Sequence, residues 1–163
     1  MKTDKINRAT IRSIREAIKK YGRFRFIVKG ISMFPLLLDG DEAIIEKVNP
    51  NRLRVGDIAM YIRKNIMIVH RIIKIYKTDK GRRLFIFQGD NLNYSDAPVW
   101  EEEIGGRVEK IIRGDLEFPA PNFHPVIISL IRFILNRARD FNSRFGLNIT
   151  HKDLINIIKR SQL

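Results

Sequence analysis

The sequence predicts a mainly β domain, an antiparallel sheet or small barrel, with one helix before it and a helical appendage after it. Three observations carry that expectation. Between residues 23 and 115, short runs rich in Ile, Val and Phe are separated by turns such as Asp39-Gly40 and Thr78-Asp79-Lys80-Gly81. Ahead of them, Ile6, Ile14, Ile18 and Tyr21 recur near helical spacing among Arg8, Arg12, Arg15, Lys19 and Lys20. Behind them, Pro119, Pro121 and Pro125 disfavour both helix and central strand and mark a boundary. The chain is therefore divided into an N-terminal basic amphipathic helix (1–22), a β domain (23–115), and a Pro-rich linker with C-terminal helices (116–163).

Each element has its own local reason. Helix 5–20 ends where Gly22 meets strand-like sequence, so it is no helix-turn-helix. Its isoleucine stripe suits packing on a core, with the basic residues outward; the same pattern suits a helix lying on an anionic membrane or on nucleic acid. Residues 23–28 alternate and then turn apolar, and 42–48 follow the Asp39-Gly40 turn. Segments 57–63 and 65–76 are joined by a short Arg63-Lys64-Asn65 connection, and 83–87 and 107–112 complete the strands. Beyond the prolines, 126–145 is expected to be helical, with Ile127, Ile131, Ile134 and Leu135 apolar. A last helix begins at Thr150 as N-cap, with Asp153 in its first turn and Leu154, Ile157 and Ile158 inward.

Composition narrows the chemistry. A chain of 163 residues with 44% hydrophobic residues can bury a core and is not disordered. It contains no cysteine, which removes disulfides, thiolate nucleophiles and cysteine zinc sites. His70, His124 and His151 lie far apart, so no metal or other cofactor is expected. The net charge of +13 favours anionic partners. An anionic membrane surface touched peripherally is one; nucleic acid is disfavoured by the lack of a DNA-reading helix pair. No apolar run reaches the ~18–20 residues that span a bilayer, and the N-terminus has no apolar signal core. The expected location is cytoplasmic or peripheral to a membrane, without an anchor or signal peptide.

One stretch, Lys29-Gly30-Ile31-Ser32-Met33-Phe34-Pro35, sets a hydroxyl between a β-like run and a turn. Gly30 permits a tight bend and Pro35 stops a strand, so Ser32 is freed to face a groove. Serine attacks only if a base takes its proton. His70 interrupts the nearly continuous apolar run Ile68-Val69-His70-Arg71-Ile72-Ile73. It is either a structural strand histidine or that base, an imidazole with an ordinary pKa of ~6.5 being largely neutral at pH 7. Asp90 and Asp96, in Gln88-Gly89-Asp90-Asn91-Leu92-Asn93-Tyr94-Ser95-Asp96, are two carboxylates that could orient it, although Gly-Asp-Asn is also an ordinary turn.

The order of these motifs is more specific than any one of them. Gly30 to Pro35, Gly40-Asp41, Gly56-Asp57-Ile58, His70-Arg71, Gly89-Asp90-Asn91 with Asp96, and Gly106-Arg107-Val108 together resemble signal peptidase I. The likeness covers about 24–112 and is to the endoplasmic-reticulum and archaeal branch, where histidine replaces the bacterial lysine. It implies a signal-peptidase-like β fold and a serine peptidase that makes limited cuts in a leader, signal or precursor peptide. In that reading Ser32 is the nucleophile and His70 the general base. Asp96 is the preferred orienting carboxylate, with Asp90 its alternative or a support of the loop. Gly30, Met33 and Pro35 would border the substrate, which such enzymes take as an added strand, with small side chains before the cut.

Three features depart from the pattern. Gly30 stands where bacterial members carry an oxyanion-binding serine, Leu92 replaces an asparagine, and no stretch here is expected to serve as the family's transmembrane anchor. The competing class is a regulatory or non-catalytic binding module on the same fold. The self-cleaving domain of SOS-type repressors is related, but uses a lysine where His70 stands.

Overall fold

The computed structural model describes residues 7–144, and side chains as far as residue 137. The chain divides into two compact units, Met1–Pro125 and Val126–Leu163. In the first, helix α1 (Arg8–Tyr21) opens at Asn7, whose side chain accepts the Ala9 N–H, and closes at left-handed Gly22, whose N–H reaches the Ile18 carbonyl. Ile11, Ile14 and Ile18 are buried in one cluster with Val28, Met33, Leu37, Ile45, Met60 and Ile111. The apolar stripe thus packs on the core and the basic residues face outward. Tyr21, expected to continue the stripe, is 69% exposed because the helix ends beside it.

Eight strands follow: β1 (Arg23–Ile27), β2 (Glu42–Glu46), β3 (Ile58–Arg63), β4 (Ile66–Lys77), β5 (Arg83–Gln88), β6 (Val99–Trp100), β7 (Ile104–Arg113) and β8 (Leu116–Pro119). They form one sheet in the order β1-β2-β7-β3-β4-β5-β6, with β8 beside β7, and every pairing is antiparallel. The mainly β expectation with flanking helices is what the molecule has.

β3 is the strand that explains the two cores. Ile58, Met60 and Ile62 join the α1 cluster, whereas Ala59 and Tyr61 join Leu53, Ile72, Phe85, Phe87 and Val99 in a second cluster. A strand covered on both sides loses its alternation and reads as an unbroken apolar run. Residues 59, 61 and 63 share one face because side chains alternate. Ala59 pairs with His70, so β4 sets His70 on that same side.

Two strands escape sequence reading. β6 has two residues, too few for a period. β8 lies in the segment assigned to the linker, and the correction has a simple cause. As an edge strand pairing only with β7, it tolerates Pro119 at its end, where no ladder donor is needed. In the second unit, helix α2 (Pro125–Arg144) matches the expected helix and begins on a proline, whose missing N–H costs nothing there. The helix expected from Thr150, with Asp153, Leu154, Ile157 and Ile158, lies outside the described residues. Among the described residues no helix is long and apolar enough to cross a membrane.

Candidate active site

The loop after β1 is closed at its neck by two backbone bonds, Val28 N–H to Asp41 O at 2.7 Å and Gly40 N–H to Val28 O at 2.9 Å. Between them the chain leaves the sheet and returns. Gly30 takes a φ of +85°, in the left-handed region, and donates its N–H to Asp39 Oδ1 at 2.7 Å. Phe34, Leu37 and Leu38 are buried and hold the far side of the loop. Buried Asp41 accepts a forked pair of bonds from Arg113 at 2.9 and 2.8 Å, and Arg113 also donates to the Leu36 carbonyl. Ser32, half-buried, therefore sits on a braced turn.

His70 is 6% exposed. Its Nδ1 lies 2.6 Å from Asp96 Oδ2 and its Nε2 lies 3.1 Å from Ser32 Oγ. An ionised carboxylate can only accept, so the bond to Asp96 puts the proton on Nδ1 and turns the Nε2 lone pair toward the serine hydroxyl. Asp96 is anchored by its own N–H, which donates to Phe87 O at 2.8 Å. Tyr61, buried below, reaches the same carboxylate. Burial first, then the charge and hydrogen bond of Asp96, push its phenol well above the ordinary tyrosine range and keep it protonated.

Asp90 goes elsewhere. It takes Arg71 Nε and Nη2, each at 2.8 Å, and Arg71 spends Nη1 on the carbonyls of Gly56 and Pro121 at 2.6 and 3.0 Å. Arg71 is 0% exposed, so this ion pair ties the hairpin loop, the β3 approach and the segment after β8 into one buried knot. The alternative of Asp90 as His70's partner is thus not what the geometry brings together. Met33, expected along a substrate wall, is 3% exposed and part of the α1 core cluster, so only its backbone faces the serine loop. Pro35 is half-buried and follows Phe34 through a cis peptide.

Two supports of Ser32 went unassigned in the sequence. Asn91 donates its backbone N–H to Ser32 O at 2.9 Å and its side-chain amide to Ile31 O at 3.1 Å. A Cβ on Gly89 would stand 2.6 Å from Ser32 O and 2.9 Å from Leu92 Cδ1. The Gly-Asp-Asn turn is therefore three devices in a row: a close approach, a structural anion and a clamp on the serine. Gly89→Ala should push the Ser32 backbone away, since a carbonyl cannot yield like a flexible side chain. A ~1 Å displacement costs on the order of 10²-fold in rate. Measured acylation of Ser32 unchanged by the substitution would refute the contact.

A polar cleft of about 840 Å³ lies elsewhere, lined by Asn51, Arg54, Asp57, Arg107 and Asn122 among others, and none of Ser32, His70 and Asp96 borders it. Among the described residues no group of three histidine or carboxylate side chains is placed to hold a metal ion.

A serine hydroxyl, an imidazole and a carboxylate joined in series on a rigid β scaffold form an arrangement able to activate the serine for attack on a carbonyl. No family model matches the chain. Comparison with curated proteins finds similarity to one group, the catalytic subunits of signal peptidase complexes. The chain is 31% identical over 105 residues to the signal peptidase complex catalytic subunit SEC11 of Zygosaccharomyces rouxii, covering 63% of this chain and 62% of that protein. It is 31% identical over 78 residues to subunit SEC11C of Homo sapiens and of Mus musculus, covering 47% of this chain and 41% of each. The chain thus spans less than two thirds of the relatives it matches, and the similarity supports a signal-peptidase-I-like family.

Proposed function

We propose that the protein is a serine endopeptidase that makes limited cuts in leader, signal or precursor peptides. The observation that carries this reading is the Ser32–His70–Asp96 series of hydrogen bonds at 3.1 and 2.6 Å. His70 takes the hydroxyl proton as Ser32 Oγ attacks the scissile carbonyl, then returns it to the leaving amine, and Asp96 holds the ring and offsets the imidazolium charge. Water then repeats the sequence on the acyl-enzyme.

The tetrahedral oxyanion needs donors. Gly30 supplies no hydroxyl, so the task falls to backbone N–H groups. Among the described residues neither the Ser32 nor the Met33 N–H is engaged in a protein hydrogen bond, which leaves both available. Met33 thus contributes through its backbone while its side chain stays in the core.

An extended peptide needs a free strand edge. β3 takes one side of β4 along residues 66–71, but β5 pairs with β4 only from Arg71 onward. Among the described residues no strand pairs with the outer edge of 66–70, which runs directly into His70, so a peptide added there as a strand would pass its backbone before the base. The signal-peptide substrate class rests on the names of the relatives. The test is a serine-directed acylating probe. Ser32 should carry the label, and both Ser32→Ala and His70→Ala should abolish it in folded protein; label elsewhere, or label surviving His70→Ala, sinks the reading.

A further inference from the structure

Asp96 is held at two points, its N–H on Phe87 O and its carboxylate at Tyr61, but the chain on either side of it is not packed. Ser95, Ala97 and Pro98 around it are exposed, as are Asn93 and Tyr94 before them, so no apolar burial fixes the loop. A carboxylate on such a loop would lose much of its alignment to conformational freedom. Arg63, the last residue of β3, restrains the backbone that follows Asp96. Its Nη1 donates to Ala97 O at 3.3 Å and its Nη2 to Pro98 O at 2.5 Å, the two carbonyls immediately after Asp96. Its Nε and Nη2 meanwhile grip both oxygens of Glu103 at 2.6 and 2.5 Å. Glu103 is itself fixed, accepting the Trp100 N–H at 2.9 Å. A planar guanidinium is suited to serving two carbonyls and a carboxylate at once; an ammonium is not.

The strand that carries the clamp also pairs with the strand that carries the base. Ala59 lies opposite His70, and Tyr61 and Arg63 follow on the same face. A register shift against β7 between Met60 and Tyr61 turns this end of the strand.

We propose that Arg63 is a positioning residue for the proposed peptidase site, delivering Asp96 to His70 by holding the Ala97–Pro98 backbone against the Glu103 turn. The assignment rests on the reading of Ser32, His70 and Asp96 given above. Arg63 touches neither Ser32 nor His70 and acts through Asp96. Its hydrogen bond holds the Glu103 carboxyl below the usual range, and Glu103 in turn raises Arg63. A depressed carboxylate contributes its stability above the unfolded value of ~4.3 and loses it only as pH falls through the lowered one. The clamp therefore stays closed from pH 5 to 9, and an acid limb of activity in that range does not come from it.

The test compares Arg63→Met, Arg63→Lys and Glu103→Gln with Arg82→Met. Arg82 pairs with Glu102 and lies over the Trp100 ring on the same turn, but does not hold the Asp96 loop. Two readouts are taken on folded protein: the far-downfield proton resonance of the hydrogen-bonded His70 Nδ1–H, and the rate of Ser32 acylation across pH. Arg63→Met should broaden or lose the resonance and slow acylation on the order of 10²-fold. Arg63→Lys should recover little of it, Glu103→Gln should lose part, and Arg82→Met should match the parent. Should Arg63→Met prove unstable, the milder Glu103→Gln carries the same comparison. A parent-like resonance and rate in Arg63→Met, or in Glu103→Gln if that stands in for it, overturns the proposal. The peptidase reading fails separately: a parent that is never acylated, with a resonance that still depends on Arg63, leaves the positioning intact and removes the enzyme.

Discussion

Asp96→Asn should slow acylation of Ser32 by about 10⁴-fold, against a loss of ~10⁶ for removing Ser32 or His70 outright. The reason is the tautomer. With a carboxylate at 2.6 Å, Nδ1 must carry the proton and Nε2 is the acceptor for Ser32. An amide group can instead donate to Nδ1, which moves the ring proton to Nε2 and leaves nothing to receive the serine proton. The substitution is nearly isosteric and its site partly open, so thermal unfolding should stay within a few degrees of the parent. Titrating acylation against probe concentration separates the effect further, since a loss confined to the chemical step leaves binding unchanged. Normal acylation in Asp96→Asn would remove the carboxylate from the mechanism.

Asp90→Asn should do the reverse in kind. It strips the bidentate partner from Arg71, whose guanidinium is fully buried and also ties down the carbonyls of Gly56 and Pro121. Leaving a buried charge uncompensated costs about 3–5 kcal/mol. At this chain length that lowers the unfolding temperature by roughly 10–15 °C. Any fall in acylation should follow the fraction unfolded and vanish when rates are compared well below the transition. Calorimetry on the two variants together is decisive: a thermally normal Asp90→Asn with impaired acylation would exchange the roles assigned to the two carboxylates.

The two aspartates show where sequence reading stops. They lie six positions apart in one polar loop, both in turn-forming company, and Asp90 sits in the more conspicuous motif. Nothing local separates them, because the choice depends on which of His70 and Arg71 each one meets. Those two are neighbours on β4 whose side chains leave opposite faces of the sheet. Met33 teaches the same point from the apolar side: next to an exposed hydroxyl it looks like substrate wall, yet the turn buries it under α1. Arg63 and Glu103, forty positions apart, gave no local signal at all.

What the sequence determined by itself was everything that repeats or is written at short range. Strand and turn periods yielded the β domain, the isoleucine spacing yielded α1, and Gly30, Ser32 and His70 stood out because each breaks its local pattern. The preference for Asp96 over Asp90 comes from the family resemblance and not from local sequence. Tertiary structure alone decided which edge of β4 is left unpaired among the described residues, how β6 and β8 complete the sheet, and what holds the Asp96 loop. Those outcomes depend on long-range register and on paired burial of charge, and a single strand's residues carry the energy of neither until its neighbours are in place.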